Sequence, residues 1–237
     1  MEQNTNYSQN EKSLRTIGEL KDSALATLRG RWSEAVIFTL AFIAIFLAWA
    51  VFYYVCTFLA VSQKVGLWLP SIVMYGGLLF LVVQLRYGFA NAFVIAERED
   101  DAVKLDNLFM AFKNIDTYFS VLIQYVAVYI LINLWSLLLI IPGIVKSYSY
   151  AMFPYIRRDY PQLTTTEVIS LSQKMMSGHK WDLFLLHLSF IGWGLLNVLT
   201  CFIGSLWLNP YVLATNAQFY KDVREEYIRN HELSITN

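Results

Sequence analysis

Charge is what this chain has least of. Asp, Glu, Lys and Arg make up 15% of its 237 residues, against about a quarter in an ordinary soluble domain. A soluble protein of this size would lack the charge to cover its surface. A bilayer removes that need, because spanning helices meet hydrocarbon. Histidine falls to three and cysteine to two, and both cysteines, Cys56 and Cys201, lie inside apolar stretches. Neither a disulfide, a metal site nor a cofactor is therefore expected. Positive and negative residues balance at 18 each, which gives no basic field and no case for nucleic acid. A phosphate loop, a dinucleotide Gly fingerprint, a His-Glu-x-x-His pair and paired intramembrane aspartates are all missing, so the chain is expected not to be an enzyme. The cluster Glu97-Arg98-Glu99-Asp100-Asp101 lacks calcium-loop spacing and reads as a solvated loop. No short apolar core with a cleavage site precedes the first long apolar run, so the first span is expected to remain as an anchor.

What the chain does have is apolar residues, 57% of the total, and aromatics, 16%. A helical span needs about 20 of them in a row. Val36–Val61, Leu67–Ala96, Tyr118–Ile141 and Trp181–Ile203 are long enough. Ile144–Ile156 and Ser205–Tyr220 are marginal, and each follows a tight turn and leads back to a basic loop. Counting both as passes gives an all-α bundle of about six transmembrane helices. A re-entrant hairpin at each place would leave four full spans.

The cations fix the threading. Fifteen of the 18 Lys and Arg fall in four blocks: 12–31, 98–113, 157–180 and 221–229. With six passes all fifteen share one side, and only Lys64 and Lys146 approach the other. The positive-inside rule then places both termini in the cytoplasm, with the turns at Pro142-Gly143 and Gly204–Asn209 facing out. Trp32, Tyr118 and Trp181 at inner ends, and Trp68 and Trp207 near outer ends, suit the headgroup level.

The inner loops have helical patterning. Leu105, Leu108, Phe109 and Phe112 share a face at helical spacing. Thr164-Thr165-Thr166-Glu167 is a capping box that opens a second helix, which ends by Gly178. Leu14, Ile17, Leu20, Ala24 and Leu28 form a third, stopped at Gly30. All three read as amphipathic cytoplasmic helices lying on the inner membrane surface. Each leads through a basic residue and an aromatic into an outgoing span, a pattern that suggests three helix-hairpin repeats. Residues 1–12 read as a disordered polar N-terminus, 13–228 as one integral-membrane domain and 229–237 as a polar tail.

Few residues suggest a site. Arg86 lies ten residues before Ala96, about 15 Å into its helix from the inner end. A charge at that depth is costly unless paired, solvated or snorkelled. Read functionally it would hold a lipid phosphate or a carboxylate; read structurally it snorkels to the interface, the commoner habit of long basic side chains. Gln84, Gly88, Asn91 and Ile95 share a face of the same helix, which suits close helix packing or, less often, a solute path. Gly192 and Gly194 read as close-packing positions, and Asn133, Asn197 and Asn216 as hydrogen-bonding ones. Lys146, Tyr148 and Tyr150, just past the Pro142 break, could line a polar pocket. His187 reads as a packed, hydrogen-bonded histidine. The candidate ligand-binding residues are thus Arg86, Gln84, Asn91, Lys146 and Tyr150. The expected partners are membrane lipids, anionic ones among them, with a protein partner or a second copy as alternatives. A non-enzymatic lipid- or partner-binding envelope protein is the leading function, and a small-solute or ion transporter or channel using the polar face around Arg86 is the alternative.

Four stretches resemble a known family: 141–155, Ile-Pro-Gly-Ile-Val-Lys-Ser-Tyr-Ser-Tyr-Ala-Met-Phe-Pro-Tyr; 176–181, Met-Ser-Gly-His-Lys-Trp; 188–193, Leu-Ser-Phe-Ile-Gly-Trp; and 206–211, Leu-Trp-Leu-Asn-Pro-Tyr. Together they resemble an uncharacterised bacterial integral-membrane family, domain of unknown function nine-seven-five. The family's Gly-rich stretch near the second span is reduced here to Arg86-Tyr87-Gly88-Phe89. The resemblance implies a bacterial cytoplasmic-membrane location and carries over no activity and no catalytic residue.

Overall fold

The computed structural model describes residues 14–63, 68–99 and 103–235, all of which are helix or connecting turns. The expected disordered segment 1–12 and Lys64 lie outside the described residues. Helix α1 (Ile17–Leu28) begins at a capping box in which Thr16 and Glu19 satisfy each other's backbone N–H groups and stops at Gly30, whose φ of 79° favours glycine. Next come α2 (Trp32–Ser62) and α3 (Trp68–Gly77). A π-turn, Leu78–Val82, carries α3 without a break into α4 (Val83–Glu99). A 3-10 helix (Leu105–Phe112) leads to α5 (Ile115–Leu138), which folds back through Leu139 onto α6 (Ile140–Ser149). Then follow α7 (Phe153–Asp159), α8 (Thr165–Met175), α9 (Lys180–Leu188), α10 (Ile191–Leu199) and α11 (Ser205–Ile235). The expected Thr164–Glu167 capping box opens α8.

Among the described residues, four helical stretches are long and apolar enough to cross a membrane: Trp32–Ser62, Pro70–Arg98, Ile115–Leu138 and Lys180–Leu199. The other two expected passes look different. Ile144–Ile156 is broken between α6 and α7 at Tyr150–Met152. Ser205–Tyr220 is the first half of α11, which continues as helix to Ile235 and takes in most of the expected tail.

Helices α1 and α8 bury their apolar faces in the protein itself, whereas the 3-10 helix leaves most of its expected face open. Leu20, Ala24 and Leu28 of α1 pack mainly against α11. Val168, Ile169, Ser172 and Met175 of α8 are buried too. The 3-10 helix seals Leu108 and Ala111 but leaves Leu105, Phe109 and Phe112 exposed. It docks on Gly88 so closely that a Cβ there would overlap the carbonyls of Asn107 and Leu108, which is the close approach expected of that face. Gly192 and Gly194, by contrast, face open space. They are not packing glycines.

One core joins α1, the first turns of α2, α4, α7, α8, α9 and the middle of α11 around Phe38, Phe93, Ile156, Met176, Leu183, Phe219 and Tyr220. Long apolar stretches of α2, α3, the α5–α6 turn and the α10–α11 turn project beyond it with their side chains exposed.

Candidate functional site

The five expected ligand-binding residues do not converge. Arg86 is exposed, whereas Gln84 and Asn91 are 0% exposed. Two residues along a helix is a rotation of about 200°, so Arg86 points away from the polar pair. It makes no ion pair among the described residues and acts electrostatically on Tyr125. Lys146 is elsewhere, its ammonium 4.8 Å from the centre of the Trp135 ring. Tyr150, one turn further on and buried, meets the same indole. Lys146 and Tyr150 therefore staple α6 to α5 and do not open a pocket with Arg86.

Gln84 and Asn91 belong to a buried polar layer between α4, α5 and α7. Gln84 Nε2 donates to the Tyr118 carbonyl at 3.1 Å. Asn91 Nδ2 donates to the Tyr87 and Pro154 carbonyls at 3.0 and 3.2 Å. Arg157, 4% exposed, donates through Nε to Gln124 Oε1 at 3.1 Å and through Nη1 to the Pro161 and Leu163 carbonyls. These bonds tie three helices and a loop together, which is how polar groups act as glue between helices. The opposite amide atoms, Gln84 Oε1, Asn91 Oδ1 and Gln124 Nε2, are buried and meet no hydrogen-bond partner among the described residues.

The densest charge cluster surrounds Asp159, the last residue of α7, which local spacing does not announce. Its side chain is 4% exposed. Arg98 of α4 donates to both carboxylate oxygens, at 2.9 and 2.7 Å, the forked geometry that makes such pairs strong. Arg158 donates through Nε and Nη2 to Oδ1, and the Tyr220 hydroxyl of α11 donates to Oδ2 at 2.7 Å. Arg224 Nε lies 3.3 Å from Oδ2. Burial pushes the Asp159 carboxyl up, but the hydrogen bonds from Arg98, Arg158 and Tyr220 outweigh it and hold it at about 2. Nearby, Lys221 pairs with Glu97, and Arg15, at the foot of α1, pairs with Asp222. One carboxylate thus holds α4, α7 and α11 in register and leaves two guanidinium charges in excess.

His187 behaves as expected: its Nε2 lies 3.1 Å from Asn216 Oδ1, linking α9 to α11. Asn133 bonds within its own helix, at the Tyr129 carbonyl. No group of three or more His, Cys, Asp or Glu among the described residues could hold a metal.

Apart from Arg98, the Asp159 hub, the Lys146–Trp135 staple and the His187–Asn216 pair lie in the second half of the chain. Residues 137–227 match a family model described as "Protein of unknown function (DUF975)". All four stretches that carried the resemblance fall inside those limits, while Arg86, Gln84, Asn91 and Arg98 fall outside. No curated protein and no solved structure matches the chain. The first half of the hub, Arg98, is thus supplied from beyond the matched segment.

Proposed function

We propose that this is a non-enzymatic multi-pass protein of the bacterial cytoplasmic membrane, with both termini in the cytoplasm, that binds anionic lipid headgroups at the inner face. The observation that carries the reading is Arg86: an exposed guanidinium on an apolar helix that forms no ion pair with a carboxylate among the described residues. A cation so placed at a membrane needs an anion or water, and a lipid phosphate supplies the first. The basic blocks support the orientation, since an even number of passes, six if every apolar segment crosses, keeps them on one side. The transport alternative is weakened by packing. Gln84 and Asn91, which would have lined its path beside Arg86, are enclosed and turned away from it.

Native mass spectrometry of protein extracted gently from vesicles of equal phosphatidylglycerol and phosphatidylethanolamine tests this. The native chain retains phosphatidylglycerol preferentially, and Arg86→Gln loses that preference while keeping its helical content. Equal retention by both proteins refutes the reading.

A further inference from the structure

Two of the apolar hairpins are too short, past the polar helices docked at their base, to reach the far side of a bilayer. We propose that the α5–α6 and α10–α11 hairpins enter the membrane from the cytoplasmic side, end among the acyl chains, and turn back. This rests on the membrane reading above and revises the number of full crossings.

The argument starts where charged helices touch each hairpin. Ser172 of α8 donates to the Ser149 carbonyl at 3.0 Å, and α8 exposes Glu167 and Lys174. From Ser149 to the turn at Leu139 is ten residues, about 15 Å of helix. Lys21 of α1 donates to the Ser189 carbonyl at 3.2 Å, and the neighbouring Asp22, which is exposed, acts electrostatically on Tyr211. From Ser189 to the turn at Cys201 is twelve residues, at most about 18 Å. Helices that expose Glu167, Lys174 and Asp22 do not sit in hydrocarbon. Only the part of each hairpin beyond them is free to enter, and the hydrocarbon layer is about 30 Å thick. The first hairpin is different. From Gly88, where the charged 3-10 helix docks, to Trp68 is twenty residues of unbroken helix, about 30 Å. That one crosses.

The turns carry the chemistry of a segment that stays in lipid. Leu137, Leu138, Leu139, Ile140 and Ile141 run consecutively and are 65–86% exposed. Phe202 and Ile203 are 63% and 62% exposed at the other tip. An emerging turn would be polar, with its N–H groups left to water. Here each backbone N–H from Thr200 to Leu208 donates within the turn, that of Gly204 to the Thr200 hydroxyl. Such internal satisfaction is what hydrocarbon demands of irregular backbone. At the other tip Pro142 occupies the third position of α6, so that position has no N–H to satisfy. The arms of the second tip also fail to close on each other. A cleft of about 430 Å³ lies between Trp193, Leu196, Trp207 and Leu208, roofed by Leu25 and Trp32. Its apolar walls fit an acyl chain of the same leaflet.

The free thiol of Cys201 sits at the tip and is exposed, so it serves as the probe. A nitroxide is attached to it in the Cys56→Ser chain, in vesicles of phosphatidylglycerol and phosphatidylethanolamine, and its collisions with oxygen and with a water-soluble nickel chelate are measured. The expected result is frequent oxygen collision with little nickel. Frequent nickel collision places the tip in water and overturns the proposal. Scarcity of both means that a second copy or the protein itself covers the tip, which overturns it equally. A nitroxide at Gln63→Cys, at the end of α2, is the separate control. Exposure to nickel from the outer side there upholds the crossing by α2 whatever the hairpins do.

Discussion

The core and the projecting hairpins are built from the same kinds of residue and live by different rules. Phe38 and Phe93 are 0% exposed, the first stacked on Phe89 and the second edge-on to it in a cluster of rings. Phe58 and Leu199, no less apolar, are 73% and 79% exposed. In the core, side chains left water on folding and the hydrophobic effect holds them. Under the membrane reading proposed above it does not act between helices on the hairpins, because lipid is as apolar as leucine, so those surfaces have no need to close. Hydrophobicity alone therefore does not say which part of this chain is structural. Contact with polar elements does: charges such as Arg98, Asp159, Lys221 and Asp222 cluster around the core.

Substitution separates the two regions by size of effect, read as thermal loss of helical signal in mild detergent. Phe93→Ala leaves a cavity in the ring cluster and costs about 3–5 kcal/mol. Asp159→Asn costs about 1–3 kcal/mol, because it weakens the charge-assisted hydrogen bonds that Arg98, Arg158 and Tyr220 make to one buried acceptor, while the half-exposed guanidiniums keep their access to water. The same carboxylate gives a pH signature. Its folded value of about 2 lies below the ordinary value of about 3.9, so the unfolded chain takes up the proton first. Its stabilising contribution is complete above about pH 5 and drains away as the pH falls from about 4 through 2. Asp159→Asn should flatten that slope, and an unchanged slope would remove Asp159 from its central position.

Gly88→Ala forces the 3-10 helix off α4 and costs about 1–3 kcal/mol. Thr164→Ala removes the α8 cap and costs about 1 kcal/mol. Leu137→Ala on a hairpin tip changes stability by less than about 0.5 kcal/mol, since detergent or lipid fills the space. A loss from Leu137→Ala as large as that from Phe93→Ala would erase the distinction between the two regions.

Much of the local structure was legible. The Thr164–Glu167 box, the stop at Gly178 with its φ of 96°, and the amphipathic run from Ile17 to Leu28 could be read because each signal lies within a few residues. The box at Thr16–Glu19 had the same spacing and could have been read as well. Grouping Arg86 with Gln84 and Asn91 failed on simple helix geometry, which sets them on opposite faces. The Asp159 hub was not legible: Arg98 and Tyr220 each lie 61 residues from it, and no local period links such distances. The expectation that α1 and α8 lie with their apolar faces on the membrane failed for a related reason, while the 3-10 helix still leaves Leu105, Phe109 and Phe112 exposed. An apolar stripe shows that something covers it, and on α1 the cover is α11. Counting passes by hydropathy registers how many residues are apolar, not where charged helices dock beside them, as α8 does at Ser149.

The most direct test of the account uses a membrane-impermeant maleimide on intact cells, with single cysteines in a chain carrying Cys56→Ser and Cys201→Ser. Gln63→Cys should react from outside, whereas Ile141→Cys should stay unreacted until detergent is added. Reaction of Ile141→Cys from outside as readily as Gln63→Cys would mean that the hairpin crosses, and the division between a cytoplasmic core and half-deep hairpins would be wrong.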